Sequence, residues 1–213
     1  MSADEGKKKA IAAVQAMFDR YKLLASKRPK NHVVSDLVPI SVMANVDLTQ
    51  DFDSVVMNNM KIIDAGPEGS VEYQLYIAPG FSNLNNVMHG GAAGVIFDMS
   101  TTTALCPVAR PGFWEFMGGV TRTLNISYLK AVPIGTTVRL VSRVKSVGKQ
   151  MAMIRGEMTS LDGKTTYCTV EHHKVNVPVL PEHLSARIPW DDDFEKEWGV
   201  VKGKTEIGVK SKI

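Results

Sequence analysis

The sequence predicts an α+β domain: an antiparallel sheet of five or six strands wrapped around one long central helix. Three observations predict it. Residues 90–105 form an apolar, small-residue stretch without proline, long enough for about four helical turns. Before it, Ser70 to Ala78 alternates, with Val71, Tyr73, Leu75 and Ile77 on one face. After it come four strand-like stretches, at about 117–130, 136–147, 150–161 and 164–177. One helix beside such a sheet is buried only if the sheet curls around it.

The elements follow in order. Ile11, Val14, Phe18, Tyr21 and Leu24 recur at helical spacing, so residues 5–26 read as an amphipathic helix that Pro29 ends. Residues 33–58 are mixed; a short extended piece around Pro39 and a helix near 50–58 are expected. Lys61 to Asp64 is a strand, and Gly66-Pro67-Glu68-Gly69 a turn. Pro79-Gly80 breaks the next strand before the loop through Asn83. Pro107, Pro111 and Gly112 form the exit from the long helix. The four later strands are expected in meander order. Gly148-Lys149 turns one pair, and Asp162-Gly163 makes a two-residue hairpin in another. The tail has Pro178, Pro181, Pro189 and an acidic run at 191–193, with one short helix near 191–198. The expected division is a helical extension over 1–54, the domain over 55–177, and a surface-hugging extension over 178–213.

Composition narrows the function. The chain has 213 residues, 44% hydrophobic and 22% charged, which is ordinary globular material. A net charge of +3 with no long basic run argues against nucleic acid. Two cysteines, Cys106 and Cys168, make no disulfide framework, so a reducing compartment is expected. No apolar run approaches the roughly 20 residues of a membrane span. The N-terminus carries no apolar signal core. The chain ends Ser211-Lys212-Ile213, one branched residue away from the peroxisomal address Ser-Lys-Leu. Peroxisome or cytoplasm is the expected location.

The chemistry concentrates in residues 83–98. His89-Gly90-Gly91 opens the long helix, and helix-start N–H groups without side chains can face an anion or a carbonyl oxygen. An oxyanion donor of this kind is typically worth about 3 kcal/mol of barrier. Asn83 adds a side-chain amide nearby, and His89 shapes the loop or contacts the reacting group. Asp98 lies in an apolar stretch, where a carboxylate needs a reason. It is eight residues beyond Gly90, hence roughly 12 Å along the axis at 1.5 Å per residue. Asp98 shares a face with Gly91 and Gly94, which lets another backbone approach. Two such helices packed antiparallel across a two-fold axis would bring each Asp98 to the other's N-terminus. The expectation is a composite site that polarises a carbonyl and supplies an acid/base group.

Asn83, the His89-Gly90-Gly91 triplet, Asp98, and Leu124-Asn125-Ile126-Ser127-Tyr128 with Pro133 and Gly135 following together resemble the hotdog fold. Specifically, the chain resembles acyl-CoA thioesterases of the 4-hydroxybenzoyl-CoA thioesterase-like superfamily, in the branch of the phenylacetic-acid-pathway and mammalian thioesterase-superfamily-member enzymes. The resemblance covers about residues 55–177. It implies hydrolysis of acyl-CoA, with Asp98 as general base or as nucleophile. It also implies a hydroxyl residue four positions before Asn125, which here is Thr121, helping to hold the water. The implied partners are an acyl-CoA substrate and a second copy of the chain, as a homodimer at least, with a homotetramer as the alternative. No cofactor and no metal are expected. A basic rim for the phosphates of coenzyme A is sought among Lys130, Arg139, Arg143 and Lys174, and a pocket lining among Met88, Phe97, Phe113, Trp114 and Phe116. The alternatives are a non-catalytic acyl-CoA-binding protein and a hydratase or dehydratase. The latter lacks its usual Asp in the loop 80–90.

Overall fold

The computed structural model describes residues 2–27, 51–115, 118–179, 183 and 186–199. The short extended piece expected around Pro39, together with Pro29, Phe116, Pro181 and the last three residues, lies outside these. The chain opens with α1 (Ala3–Lys27), then α2 (Phe52–Asn59), β1 (Met60–Gly66) and β2 (Ser70–Tyr76). After the helix α3 (Gly90–Thr102) come β3 (Val120–Tyr128), β4 (Thr137–Val147), β5 (Met151–Ser160), β6 (Thr166–Val175) and α4 (Pro189–Glu197).

The sheet is antiparallel, six-stranded, and ordered β1-β2-β4-β5-β6-β3. The meander expectation is therefore wrong for one strand. β3 pairs with β6 at the far edge, with Leu124 opposite His172. The chain then crosses back to the middle of the sheet. On the way Met88 N–H donates to the Val132 carbonyl at 2.9 Å and Gly135 N–H to the Ile77 carbonyl at 2.8 Å. This return places the loop leading into α3 against the same crossing that follows β3.

The sheet wraps α3, which contacts β2 through β6. Ala93, Ile96 and Phe97 are buried on the helix and share one hydrophobic core with Val71, Tyr73, Leu75, Leu140, Ile154 and Met158 of the strands. The alternation lands as read: Val71, Tyr73 and Leu75 of β2, and Ile77 just beyond it, are all buried. The helix is shorter than expected. It ends at Thr102 and tightens into a 3-10 segment, Thr103–Val108, because Pro107 has no N–H to continue an α-helical ladder. The β5–β6 hairpin is also longer than a two-residue turn. Ser160 N–H donates to the Thr165 carbonyl at 2.8 Å, and Asp162 accepts from the Ser160 hydroxyl at 2.6 Å and the Lys164 N–H at 3.1 Å. Gly163, at φ 72°, takes the left-handed position of that wider turn.

Outside the sheet, α1 lies on β1 and on the 3-10 segment, and α4 packs on α1. A buried ion pair joins Arg20 of α1 to Asp191 of α4. Tyr21 donates to Asp53 at 2.7 Å, tying α1 to the start of α2. Among the described residues, no helix is long and apolar enough to cross a membrane.

Candidate active site

The two ends of α3 carry different halves of the expected chemistry. At its start, His89 is the N-cap: its Nδ1 accepts the Gly91 N–H at 2.8 Å. This corrects the expectation of two free glycine donors, because the cap uses one of them. The Gly90 N–H has no partner among the described residues and remains the available donor. With Nδ1 accepting, the neutral His89 ring carries its proton on Nε2. Tyr128 of β3 donates from its hydroxyl to the Gly90 carbonyl at 2.8 Å, which fixes the first turn. Asn83 organises the approaching loop. Its Oδ1 accepts from Asn85 N–H at 2.9 Å and Val87 N–H at 3.4 Å, so its NH2 group is turned away from the loop backbone.

Two turns along, Asp98 meets three groups on a single oxygen. Thr121 Oγ1 donates to Asp98 Oδ1 at 2.7 Å. His172 Nε2 lies 3.6 Å and Lys174 Nζ 3.9 Å from that same Oδ1. Oδ2 has no protein partner among the described residues. The Asp98 side chain is 47% exposed, while those of His172 and Lys174 are 0% and 3% exposed. One carboxylate oxygen is held and the other is open.

A β-bulge brings Thr121 there. Thr123 pairs with His173 and Thr121 with Lys174, so Arg122 is an extra residue in β3. Without it Thr121 would share the outer face with Thr123. With it, Thr121 turns to the inner face that His172 and Lys174 occupy.

The protons of this cluster can be placed. Burial first, then the Lys174 charge, pushes the His172 imidazole down to about 4, with Asp98 opposing. It is neutral near pH 7. The Asp98 carboxylate only accepts, so the single Thr121 proton goes to it. Thr121 Oγ1 therefore accepts from His172 Nε2–H at 3.0 Å. His172 Nδ1 lies 2.6 Å from the Thr101 hydroxyl, whose single proton is shared with the Phe97 carbonyl. Hydrogen bonds thus link α3 through β6 and β3 back to Asp98.

The structure brings Asp98 and Thr121 together and gathers Asn83, His89, Gly90 and Gly91 at the other end. Along one helix these groups are about 12 Å apart. The face between them is open: a Cβ added at Gly94 would meet nothing within 4 Å. Sequence reasoning missed His172, although it continues the inward period of Cys168 and Val170 on β6. It also misplaced Lys174, which is an internal residue bonded to Thr102 at 2.8 Å, not part of a phosphate rim. Arg139 is committed to Glu72 through two hydrogen bonds of 2.6 and 2.5 Å. Lys130 and Arg143 remain exposed.

A six-stranded antiparallel sheet around one helix, with a glycine-opened N-terminus and a carboxylate two turns inside, defines a hotdog-fold domain. A sequence profile of the thioesterase superfamily matches residues 85–167. Thioesterase superfamily member 2 of zebra fish is similar in structure: 23% identity, a TM-score of 0.52, and coverage of 63% of this chain and 90% of that one. The mouse thioesterase superfamily member 2 gives 22% identity and a TM-score of 0.51, covering 58% and 86%. At these identities the likeness is one of fold. No curated protein matches the chain by sequence.

Proposed function

We propose that the protein is an acyl-CoA thioesterase whose site is shared by two copies of the chain. The observation that carries this reading is Asp98, with one oxygen held by Thr121 and the other open. The superfamily match supports thioester chemistry. The uncovered Gly91–Gly94–Asp98 face and the free edge of β3, with Val120, Tyr128 and Leu129 exposed, support a second copy. In the shared site, the Gly90 N–H of one chain and the Asn83 amide polarise the thioester carbonyl. Asp98 Oδ2 of the other chain takes a proton from water as its oxygen attacks the carbonyl carbon. The tetrahedral oxyanion collapses, the C–S bond breaks, and the proton passes from Asp98 to the departing thiolate. The products are the free acid and coenzyme A.

Thiol release from a panel of acyl-CoAs tests the activity, with Asp98→Asn expected to be inactive. Subunit mixing tests the sharing. Gly90→Pro removes the donor at the one helical position where proline fits. Each variant alone should be inactive. Random exchange of the two should restore about a quarter of the activity, since half the dimers then hold one intact site of two. Two stable, inactive dimers that stay inactive after exchange would refute the shared site. Full turnover by Asp98→Asn would refute the mechanism, and tight binding without turnover by the unmodified chain would make it a carrier.

A further inference from the structure

Lys174 is the most unusual side chain near the site. A lysine is almost never fully buried without a partner, yet this one is 3% exposed. Its ammonium has three protons to place, and Thr102 Oγ1 takes one at 2.8 Å. The only carboxylate within ion-pair range among the described residues is Asp98, with Oδ1 at 3.9 Å. The Cys106 thiol also lies in this surround, but burial pushes it up to about 12, so it brings no charge. His172 faces Asp98 as a neutral ring, and His173 is turned to the other face, bonded to Glu171 at 3.1 Å. Among the described residues Lys174 is thus the only cation directed at Asp98; burial pulls its value below the usual lysine range, and the Asp98 charge opposes this.

We propose that Lys174 is a positioning residue: its buried ammonium, on the same side as Thr121 and His172, draws and fixes Oδ1 of Asp98, so that Oδ2 faces water as an ionised base. The inference rests on the base role assigned to Asp98 above. It has a separate consequence. With Oδ1 anchored, Oδ2 is held in the attacking geometry, so Lys174 acts on kcat and not on substrate binding.

The experiment measures kcat and KM for the unmodified chain, Lys174→Met and Lys174→Gln, with Asp98→Asn as control. Methionine fills the stem's volume without charge; glutamine keeps a donor for Thr102. Both should lower kcat about tenfold with KM unchanged, because the base is then less well aimed. A purely structural role would lower thermal stability and leave kcat in place, and a folded variant with an unchanged kcat overturns the proposal. If both variants fail to fold, the Lys174 ammonium is titrated by nitrogen-15 NMR in the unmodified chain and in Asp98→Asn. Loss of the Asp98 charge should lower its midpoint; an unchanged midpoint overturns the proposal. The two readings fail separately. Turnover by Asp98→Asn removes the base role itself, whereas an inactive Asp98→Asn beside an unchanged Lys174→Met kcat removes only the part given to Lys174.

Discussion

Replacing Thr121 with valine removes one hydroxyl and keeps the side chain's shape and β-propensity. The hydroxyl does two things. It donates to Asp98 Oδ1 at 2.7 Å and accepts from His172 Nε2 at 3.0 Å. A hydrogen bond to a charged group is worth about 1.5–3 kcal/mol. If the bond holds Asp98 in the geometry that activates water, its loss raises the barrier by that amount. At 1.36 kcal/mol per decade, kcat should fall by about tenfold to a hundredfold. The same change strands His172 Nε2–H in a buried position, which costs about 1–3 kcal/mol of stability. Thr121→Ser keeps the hydroxyl and should recover most of both. The assay is thiol release at saturating acyl-CoA, with urea unfolding alongside. A Thr121→Val chain with kcat within twofold of the unmodified one would refute the role given to this bond, whatever its stability.

His172 also makes stability depend on pH. Its folded value is lowered from 6.5 to about 4. Between those values the unfolded chain binds a proton that the folded one refuses. The contribution is therefore complete above pH 6.5 and is lost as pH falls towards 4, up to about 3 kcal/mol. Urea unfolding at several pH values checks it, and His172→Gln should lose that part of the slope. Among the described residues, Arg20→Met should leave buried Asp191 only the Ile188 N–H, at 2.8 Å, to hold it. Breaking a buried pair costs about 3 kcal/mol or more, and the double change Arg20→Met/Asp191→Leu should recover much of it. Hydrogen exchange over residues 186–199 reads the release of α4, and unchanged protection would show that the pair does not hold it.

Periodicity reached the elements but not their neighbours. The inward run of Val71, Tyr73, Leu75 and Ile77 is a local property, and the start of α3 at Gly90 follows from its glycines and apolar sequence. Which strand lies beside β3 is not local. Pairing with β6 spans some fifty residues of chain, and nothing in the alternation of either strand distinguishes β6 from β4 as partner. The same limit applies to the site. Asp98 and the helix-start group are legible because they share one segment. Thr121 reaches Asp98 only through a bulge at Arg122, and a bulge inverts the face that alternation assigns. Lys174 was misread because a lysine near a strand's end is by default outside. The period of Cys168, Val170 and His172 pointed inward, and the charge outweighed it. Even the N-cap was concealed, since histidine is an unusual residue to close a helix start with its own ring.

The outer edge of β3 has a consequence for how the protein's activity depends on its amount. The strand that carries Thr121 is hydrogen-bonded to the sheet on one side only, by β6. In a site assembled from two chains, whatever covers that free side is part of the machinery. The rate per chain would then fall on dilution as pairs separate by mass action, with no change in the fold of either chain. A cell could lower this activity simply by holding fewer copies, without modifying a single residue.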